Sequence, residues 1–281
     1  MFAPSAGTTL ASPTPESFFS LASLVGLLHL ESSSALGWTQ VLVVSFWFAI
    51  ATSFRTNGTL LIGYLAFKLI AEAQSGRAVS ATLKLVLSVA VCVSPSVLFQ
   101  AWAYSRFCLA EASRPWCEDR LPSIYAFVQS HYWHVGVWRY WQAAQLPNFM
   151  LAAPVLVCIA YTARVFYRRS SWSHIAASLL APRTTTRPAA TTTEADLVAL
   201  ATTPKATPYI VHGVALGCIL LFASHVQIAL RLATPGGMPM VWWGAAHAVG
   251  HSARVRRWVL AYLAVQYCAS IVLYAGFYPP A

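Results

Sequence analysis

The sequence is poor in charged residues, and acidic residues are its scarcest class. Only 9% of its 281 residues are charged, whereas 58% are hydrophobic. A soluble domain carries about 25% charged residues, so a water-soluble globule is excluded. A disordered chain is excluded as well, because disorder requires low hydrophobicity. A secreted disulfide scaffold is excluded because six cysteines are too few for one. An all-α polytopic membrane protein remains.

The formal net charge of +10 does not indicate a nucleic-acid partner. The basic residues are dispersed, and most of them flank apolar runs, where they anchor helices at a membrane surface. Membrane lipids are therefore the expected partner. Only two Asp occur, Asp119 and Asp196, so a reaction that needs a catalytic acid or base has few candidates.

Apolar segments divide the chain into clear and weak membrane segments. A helix needs about 20 apolar residues to cross a bilayer, and we predict clear spans at 83–104, 149–166, 209–232 and 258–278. Weaker segments, at 17–30, 38–52, 60–73 and 238–250, are candidates for half-helices or re-entrant segments. Together they predict one membrane domain, 1–281, with about five to eight membrane segments.

Two long stretches lie between the clear spans. Segment 106–148 is rich in aromatic residues, and 167–208 is a low-complexity stretch of Thr, Ala and Pro. The second has five Lys or Arg and the first has four, which favours a cytosolic linker and a lumenal aromatic loop. The basic run 254–257 also fits a cytosolic turn.

The turn Phe54-Arg55-Thr56-Asn57-Gly58 separates two apolar segments. Arg55 offers a planar set of donors suited to phosphate oxygens, and Asn57 could join it in binding a phosphate or a sugar. The alternative is an ordinary interfacial turn with an arginine that extends to the membrane surface.

Segment 129–141 concentrates aromatic rings around two histidines and one arginine. His131, Trp133 and Arg139 are candidates for sugar binding, and the alternative is an aromatic belt at the membrane interface. His131 and His134 lack further ligands at a recognisable spacing, so we predict no metal site.

Polar residues inside a membrane segment are functional candidates. His225 and Gln227 lie within the predicted span 209–232, with Arg231 near its end. Gln227 and Arg231 share a helix face at i, i+4. The alternative role is interhelical hydrogen bonding.

Two cysteines in the aromatic loop, Cys108 and Cys117, flank Arg114-Pro115-Trp116. We predict a disulfide between them if the loop is lumenal, because that compartment is oxidising.

These motifs, taken in order, resemble the second mannosyltransferase of glycosylphosphatidylinositol (GPI) anchor assembly. The resemblance rests on Phe2-Ala3-Pro4-Ser5-Ala6, Pro15-Glu16-Ser17-Phe18-Phe19, Phe54-Arg55-Thr56-Asn57-Gly58, Arg114-Pro115-Trp116-Cys117, Leu121-Pro122-Ser123-Ile124-Tyr125, Tyr132-Trp133, Gln145-Leu146-Pro147-Asn148-Phe149, His225-Val226-Gln227, Trp242-Trp243-Gly244-Ala245-Ala246-His247 and Phe277-Tyr278-Pro279-Pro280-Ala281.

The resemblance implies a multi-pass enzyme of the endoplasmic reticulum membrane with a GT-C-type glycosyltransferase bundle. Such enzymes transfer mannose from dolichyl phosphate mannose to a Man-GlcN-acylPI acceptor and form an α-1,6 bond in the lumen. The donor is lipid-linked, no other cofactor is implied, and a small membrane subunit is a further conceivable partner.

The sequence departs from the family in four respects, one of which is Thr14 in place of an aromatic residue two positions before Glu16. His134 stands where the family usually has Asn, and Gln142-Ala143-Ala144 replaces an acidic-then-basic stretch. The acidic Trp-Asp loop of the family has no equivalent, so we expect this chain to be the C-terminal part of the enzyme. Glu16, which matches a family Glu, and Asp119 are the weak candidates for a catalytic carboxylate, with Glu118 beside them.

The missing acidic loop leaves a second function open. The chain could be a non-enzymatic multi-pass subunit or a transporter, because polar residues such as His225 and Gln227 lie in a predicted span. The absence of a paired half-length repeat counts against a transporter.

Overall fold

The structure is a computed structural model that describes residues 14–32, 36–109, 114–169, 206–251 and 253–275. Within these ranges the chain is helical and contains no β-strand, as predicted for an all-α protein. The first and last resemblance motifs, most of segment 167–208 and the end of the segment 258–278 lie outside the described residues.

The first four helices form an N-terminal bundle. They are α1 (Pro15–Ser32), α2 (Trp38–Phe54), α3 (Ile62–Glu72) and α4 (Ala78–Phe107). Their apolar faces meet in one core, in which Phe19, Val44, Phe48 and Leu65 are almost fully buried. The weak segments 17–30, 38–52 and 60–73 thus all lie in or across helices of this bundle.

The chain turns sharply between α3 and α4. Ser75 and Gly76 leave helical geometry, and Gly76 has a φ of 89°, a left-handed conformation that glycine adopts without strain. Helix α4 then runs for 30 residues and contains Pro95. At 1.5 Å per residue it is about 45 Å long, enough to cross a bilayer.

The remaining helices form a second bundle, preceded by a short surface helix. They are α5 (Ile124–His131), α6 (Leu146–Arg169), α7 (Thr207–Phe222), α8 (Ala229–Leu232), α9 (Pro239–His251) and α10 (Ala253–Ala275). A second core unites α6 to α9 around Ile159, Ile210, Leu230 and Met240.

The segment 209–232 is interrupted, whereas the sequence predicted one continuous span. Helix α7 ends at Phe222, and residues 223–228 form a turn and a short 3-10 segment before α8. His225 and Gln227 therefore lie in a break between helices. Such a break is tolerated in a membrane protein where other protein segments cover the backbone.

A second break follows α8 and is buried deeply. Residues 232–234 and 236–238 are all buried, although 233–238 are not helical. Gly236 N donates to Ser20 Oγ at 3.1 Å, and Trp242 Nε1 donates to the Ala233 carbonyl at 2.8 Å. Side chains of α1 and α9 thus supply hydrogen bonds to backbone groups that the non-helical turn would otherwise leave unpaired.

Among the described residues, two helical regions are long and apolar enough to cross a membrane. They are 56–107, which includes the kink at Gly76, and 143–168. Helices α2 and α7 are apolar but shorter. These findings confirm the prediction of a helical chain with apolar helices long enough to cross a membrane.

Both bundles share one end that is rich in aromatic residues. Trp141 Nε1 donates to the Leu221 carbonyl at 2.7 Å, and the Trp141 ring lies 5.2 Å from that of Phe149. Thr56, after α2, is hydrogen-bonded to Tyr125 of α5 at 2.9 Å. The ends of α2 and α7 and the start of α6 therefore meet at what we call the aromatic end.

Candidate functional site

A buried ion-pair cluster joins the two bundles near the aromatic end. Glu16, in the first turn of α1, is 1% exposed, and its Oε1 atom accepts hydrogen bonds from two arginines. Arg55 Nη1 is one donor. Arg231 Nε is the other at 2.8 Å, and Arg231 Nη2 lies 2.5 Å from the same oxygen. We call these residues the Glu16 cluster.

The three members of the cluster come from distant parts of the sequence. Glu16 belongs to α1, Arg55 to the extended residue after α2, and Arg231 to α8. Arg231 is 215 residues away from Glu16. Only the packing of the two bundles brings these charges together.

The charges of the arginines govern the ionisation of Glu16. Burial by itself raises the pKa of the carboxyl group, but Arg55 and Arg231 lower it, and hydrogen bonds from its own backbone and from Thr14 lower it further. The pKa therefore lies below the ordinary value of 4.5. A buried carboxylate held by two guanidinium groups is a poor general base, which argues against a direct proton transfer by Glu16.

Asn57 extends the cluster. Arg55 Nε donates to Asn57 Oδ1 at 3.2 Å, whereas the buried Asn57 Nδ2 has no hydrogen-bond partner among the described residues. Gly58 makes this turn feasible, because a Cβ there would lie 2.7 Å from the Thr52 backbone. The structure therefore brings together Arg55, Asn57 and Glu16, as candidates from two separate sequence motifs.

A second cluster of polar groups and rings lies at the same end. The His225 ring lies 4.6 Å from the Tyr140 ring and 6.0 Å from that of Trp133, and its Nε2 is hydrogen-bonded to the Trp133 carbonyl. Tyr140 donates to Gln227 Oε1 at 3.4 Å and accepts from Asn148 Nδ2 at 2.9 Å. We call this the His225 cluster.

One short segment connects the two clusters. Residues 225–231 carry His225 and Gln227 of the second cluster and Arg231 of the first. The non-helical residues 223–225 precede Gln227, and the 3-10 turn at 226–228 leads directly into α8, which carries Arg231. The functional candidates of both bundles thus meet along this segment.

The loop beside the His225 cluster has an unusual backbone. His134 has a φ of 51° and Trp138 has a φ of 62°, in the left-handed region that residues other than glycine rarely adopt. Asn, Asp and His are several-fold enriched there among residues with a side chain, and of these Asn and Asp adopt it most readily, because a short polar side chain can hydrogen-bond locally. The family's usual Asn at this position therefore suits the backbone better than His134 does.

Three sequence candidates lie outside both clusters. His131 stacks on Phe127 at 4.9 Å and is exposed, and Arg139 is an exposed residue folded against Gly136. Asp119 is exposed and makes no hydrogen bond or ion pair within the described ranges. Their positions do not support a shared site with Arg55.

Sequence reasoning left several members of these clusters out of the candidate site. They are Arg231, Tyr140 and Asn148. Arg231 carried a signal, since a charge within an apolar run is rare. Tyr140 and Asn148 gave none, because an aromatic residue in a loop or an amide near the start of a helix is ordinary on its own.

Two further features bear on the chemistry. Cys108 and Cys117 form a disulfide with a Cα–Cα distance of 5.5 Å, which ties the end of α4 to the aromatic loop. Among the residues that the structure describes, no group of three or more His, Cys, Asp or Glu could hold a metal ion.

The chain is similar to curated proteins of GPI biosynthesis. A protein of Aspergillus oryzae named GPI mannosyltransferase 2 is 32% identical, over 98% of this chain and 63% of its own. A protein of Cryptococcus neoformans with the same name is 30% identical, over 97% and 65%. The human protein named GPI alpha-1,6-mannosyltransferase 2 is 29% identical, over 86% and 53%.

This chain therefore spans between about half and two thirds of the length of those relatives. No solved structure matches it. The profile of the family described as Mannosyltransferase (PIG-V) matches residues 1–281, so the resemblance seen in the sequence is confirmed and the chain belongs to that family.

Proposed function

We propose that this chain is part of a GPI α-1,6-mannosyltransferase of the endoplasmic reticulum membrane. The enzyme transfers the second mannose of the anchor from dolichyl phosphate mannose to Man-GlcN-acylPI. Membership of the mannosyltransferase family carries this proposal, and the names of the relatives agree with it. The bundle is of the GT-C type, crosses the membrane several times and has its aromatic end in the lumen.

The chemistry requires stabilisation of a leaving phosphate. Breaking the bond between mannose and the phosphate adds a negative charge to the phosphate oxygens. Arg55 supports this step, because a fixed guanidinium group in an apolar setting stabilises such a charge strongly. Its bond to Asn57 fixes the orientation of that group.

The His225 cluster is suited to the acceptor sugars. Trp133, Tyr140 and His225 offer rings for stacking, and Gln227 offers an amide for a sugar hydroxyl. His131 and Arg139 remain candidates at the exposed edge of the same loop. Asp119 is one of the carboxylates proposed from the sequence. It is exposed and makes no hydrogen bond or ion pair within the described residues, so it remains the candidate base.

The test is complementation of cells that lack the second GPI mannosyltransferase. The complete gene that encodes this sequence is expressed, and surface GPI-anchored proteins are counted by flow cytometry. We expect surface staining to return, and transfer of mannose from labelled dolichyl phosphate mannose to appear in membranes. If the expressed protein reaches the membrane and neither signal appears, the proposal is wrong.

The same experiment discriminates the alternative function. A non-enzymatic subunit or a transporter would not catalyse mannose transfer in isolated membranes supplied with donor and acceptor. The transferase names of the relatives favour the enzyme, as do the polar clusters at the junction of the bundles.

A further inference from the structure

The Glu16 cluster has more hydrogen-bond donors than acceptors. Each guanidinium group has five N–H donors, and both share the single oxygen Oε1 of Glu16. Nη2 of Arg55 and Nη1 of Arg231 make no hydrogen bond within the described part of the chain. Asn57 Nδ2 adds a buried donor that has no partner there either, and Glu16 Oε2 is a buried acceptor without one, so donors still outnumber acceptors.

The cluster also has unbalanced charge. Two guanidinium groups and one carboxylate leave a net charge of +1 at a junction between apolar bundles. Unbalanced charge is costly away from water, and buried charges are normally paired. Excess donors and excess positive charge together call for an anion.

The three charged side chains of the cluster differ in exposure. The side chain of Glu16 is 1% exposed, that of Arg55 is 16% exposed and that of Arg231 is 34% exposed. The carboxylate therefore lies beneath the two arginines, and a ligand would meet Arg231 first. Both guanidinium groups are close enough for one tetrahedral anion, because each bonds the same carboxylate oxygen.

We propose that Arg231, together with Arg55 and Asn57 Nδ2, binds the phosphate group of a lipid, and that Glu16 is the internal counter-ion of this site. This inference rests on the proposed function and adds to it a second arginine, contributed by the C-terminal bundle. The site is complete only when α8 packs against α1 and α2. A phosphate ester, with one negative charge as a diester or up to two as a monoester, offsets the net positive charge of the cluster.

Thermal unfolding of the full-length protein in lipid nanodiscs tests the proposal. The ligands are dolichyl phosphate, inorganic phosphate and dolichol, the last being the same lipid without its phosphate. A ligand that binds only the folded protein raises its unfolding temperature, and the stabilisation grows with the logarithm of the ligand concentration divided by the dissociation constant. We compare wild type, Arg231→Gln and Arg231→Lys, and Arg120→Gln is the matched control, because Arg120 is an exposed arginine of the aromatic loop.

We expect dolichyl phosphate, but not dolichol, to protect wild type and the Arg120→Gln variant. Its dissociation constant should rise at least tenfold in Arg231→Gln and less in Arg231→Lys, which retains the charge without the planar fork. If Arg231→Gln fails to fold, Arg231→Lys still gives the comparison. Equal affinity in wild type and both Arg231 variants would overturn the proposal. Equal protection by inorganic phosphate would show that the bound phosphate need not belong to a lipid.

The phosphate site and the proposed function can be wrong independently, and the measurements distinguish the two outcomes. If mannose transfer is present and its KM for the donor is unchanged in both Arg231 variants, the enzyme stands and the phosphate site is wrong. If dolichyl phosphate binds through Arg231 and no transfer occurs, the site stands and the proposed function is wrong.

Discussion

At the scale of single residues, Glu16 has an unusual position for a carboxylate. It is almost fully buried, yet it is ionised, because two arginines lower the pKa of its carboxyl group below 4.5. Sequence alone offered Glu16 as a candidate base. The structure instead gives it ion pairs with Arg55 and Arg231, so that it holds like charges from two bundles close together.

We predict that Glu16→Gln destabilises the folded protein. Removing one member of a buried ion pair should cost about 3 kcal/mol, at the lower end of the usual range because Arg231 keeps a third of its surface exposed. Chemical unfolding in detergent at pH 7 measures the loss. Glu31→Gln is the control, since the ion pair of Glu31 with Lys68 is partly exposed and should contribute little.

This loss should depend on pH. The folded pKa of Glu16 is depressed, so its stabilisation is fully present above the unfolded pKa, near 4.5, and is lost as pH falls through the folded pKa. Wild type and Glu16→Gln should therefore differ at neutral pH and converge below about pH 4.5. A constant difference down to the lowest pH at which both remain folded would contradict the role given to Glu16.

The backbone angle at His134 predicts what the departure from the family's usual Asn does to stability. A left-handed conformation costs an L-residue about 1–2 kcal/mol, and Asn reduces that cost through local hydrogen bonds. We predict that His134→Asn raises the unfolding free energy by about 0.5–1 kcal/mol. His131→Asn is the matched control, because His131 lies in the helical backbone of α5 and should gain nothing. Equal effects at both positions would contradict this explanation.

At the scale of elements, the buried turn between α8 and α9 depends on a glycine. A Cβ on Gly236 would meet the backbone carbonyl of Ser20 in α1, and backbone atoms cannot move aside as a flexible side chain can. Glycine is therefore required here because the backbone of the turn lies against the backbone of α1. Its φ, which is ordinary, imposes no such requirement. The turn and α1 must remain in contact for Arg231 to reach Glu16.

We predict that Gly236→Ala lowers the unfolding free energy by about 1–3 kcal/mol, because the extra methyl group forces a tightly packed turn apart. Gly63→Ala in α3 is the control, where a Cβ meets nothing within 4 Å. There the substitution should be neutral or stabilising, as is usual in a helix. Thermal unfolding in detergent compares the two, and an unaffected Gly236→Ala variant would mean that the turn is not packed against α1.

At the scale of the whole molecule, the two bundles place their functional candidates at one end. The Glu16 cluster, the His225 cluster and the disulfide-linked loop all lie near the aromatic end. The proposed function requires this end to face the lumen, where the donor and the acceptor meet.

We predict that an introduced glycosylation sequon in the aromatic loop is used. Asp119→Asn combined with Leu121→Thr creates a sequon at an exposed turn. A lumenal loop should add one glycan, seen as a gel shift that an endoglycosidase removes. Leu200→Asn, which creates a sequon with Ala201 and Thr202 in the predicted cytosolic linker, is the control and should add none. A glycan on the linker variant alone would reverse the proposed orientation.

Much of the architecture follows from local sequence. Long apolar runs such as 83–104 and 149–166 predict helices, because a helix satisfies its backbone hydrogen bonds internally in a membrane. Those segments lie within α4 and α6. The interruption of 209–232 could not be predicted in this way. Polar residues such as His225 and Gln227 do not by themselves indicate a break, and the groups that bond the carbonyls at the end of α7 come from the distant aromatic loop, as Trp141 Nε1 does.

The candidate site was predictable only in part. Arg55 and Asn57 stood out because they are two residues apart in a turn between apolar segments. Pairing Arg231 with Glu16 required the tertiary structure, since 215 residues separate them and no local pattern encodes that contact.

The scarcity of charge by itself predicted a membrane protein, since a chain with so few charged residues differs sharply from a soluble domain, which carries about 25%. Composition and ordered motifs also determined its family. The tertiary structure decided which of the few charges meet. In an apolar interior each charge must find a partner, so the packing of two bundles selected Glu16 for two arginines and left Asp119 exposed.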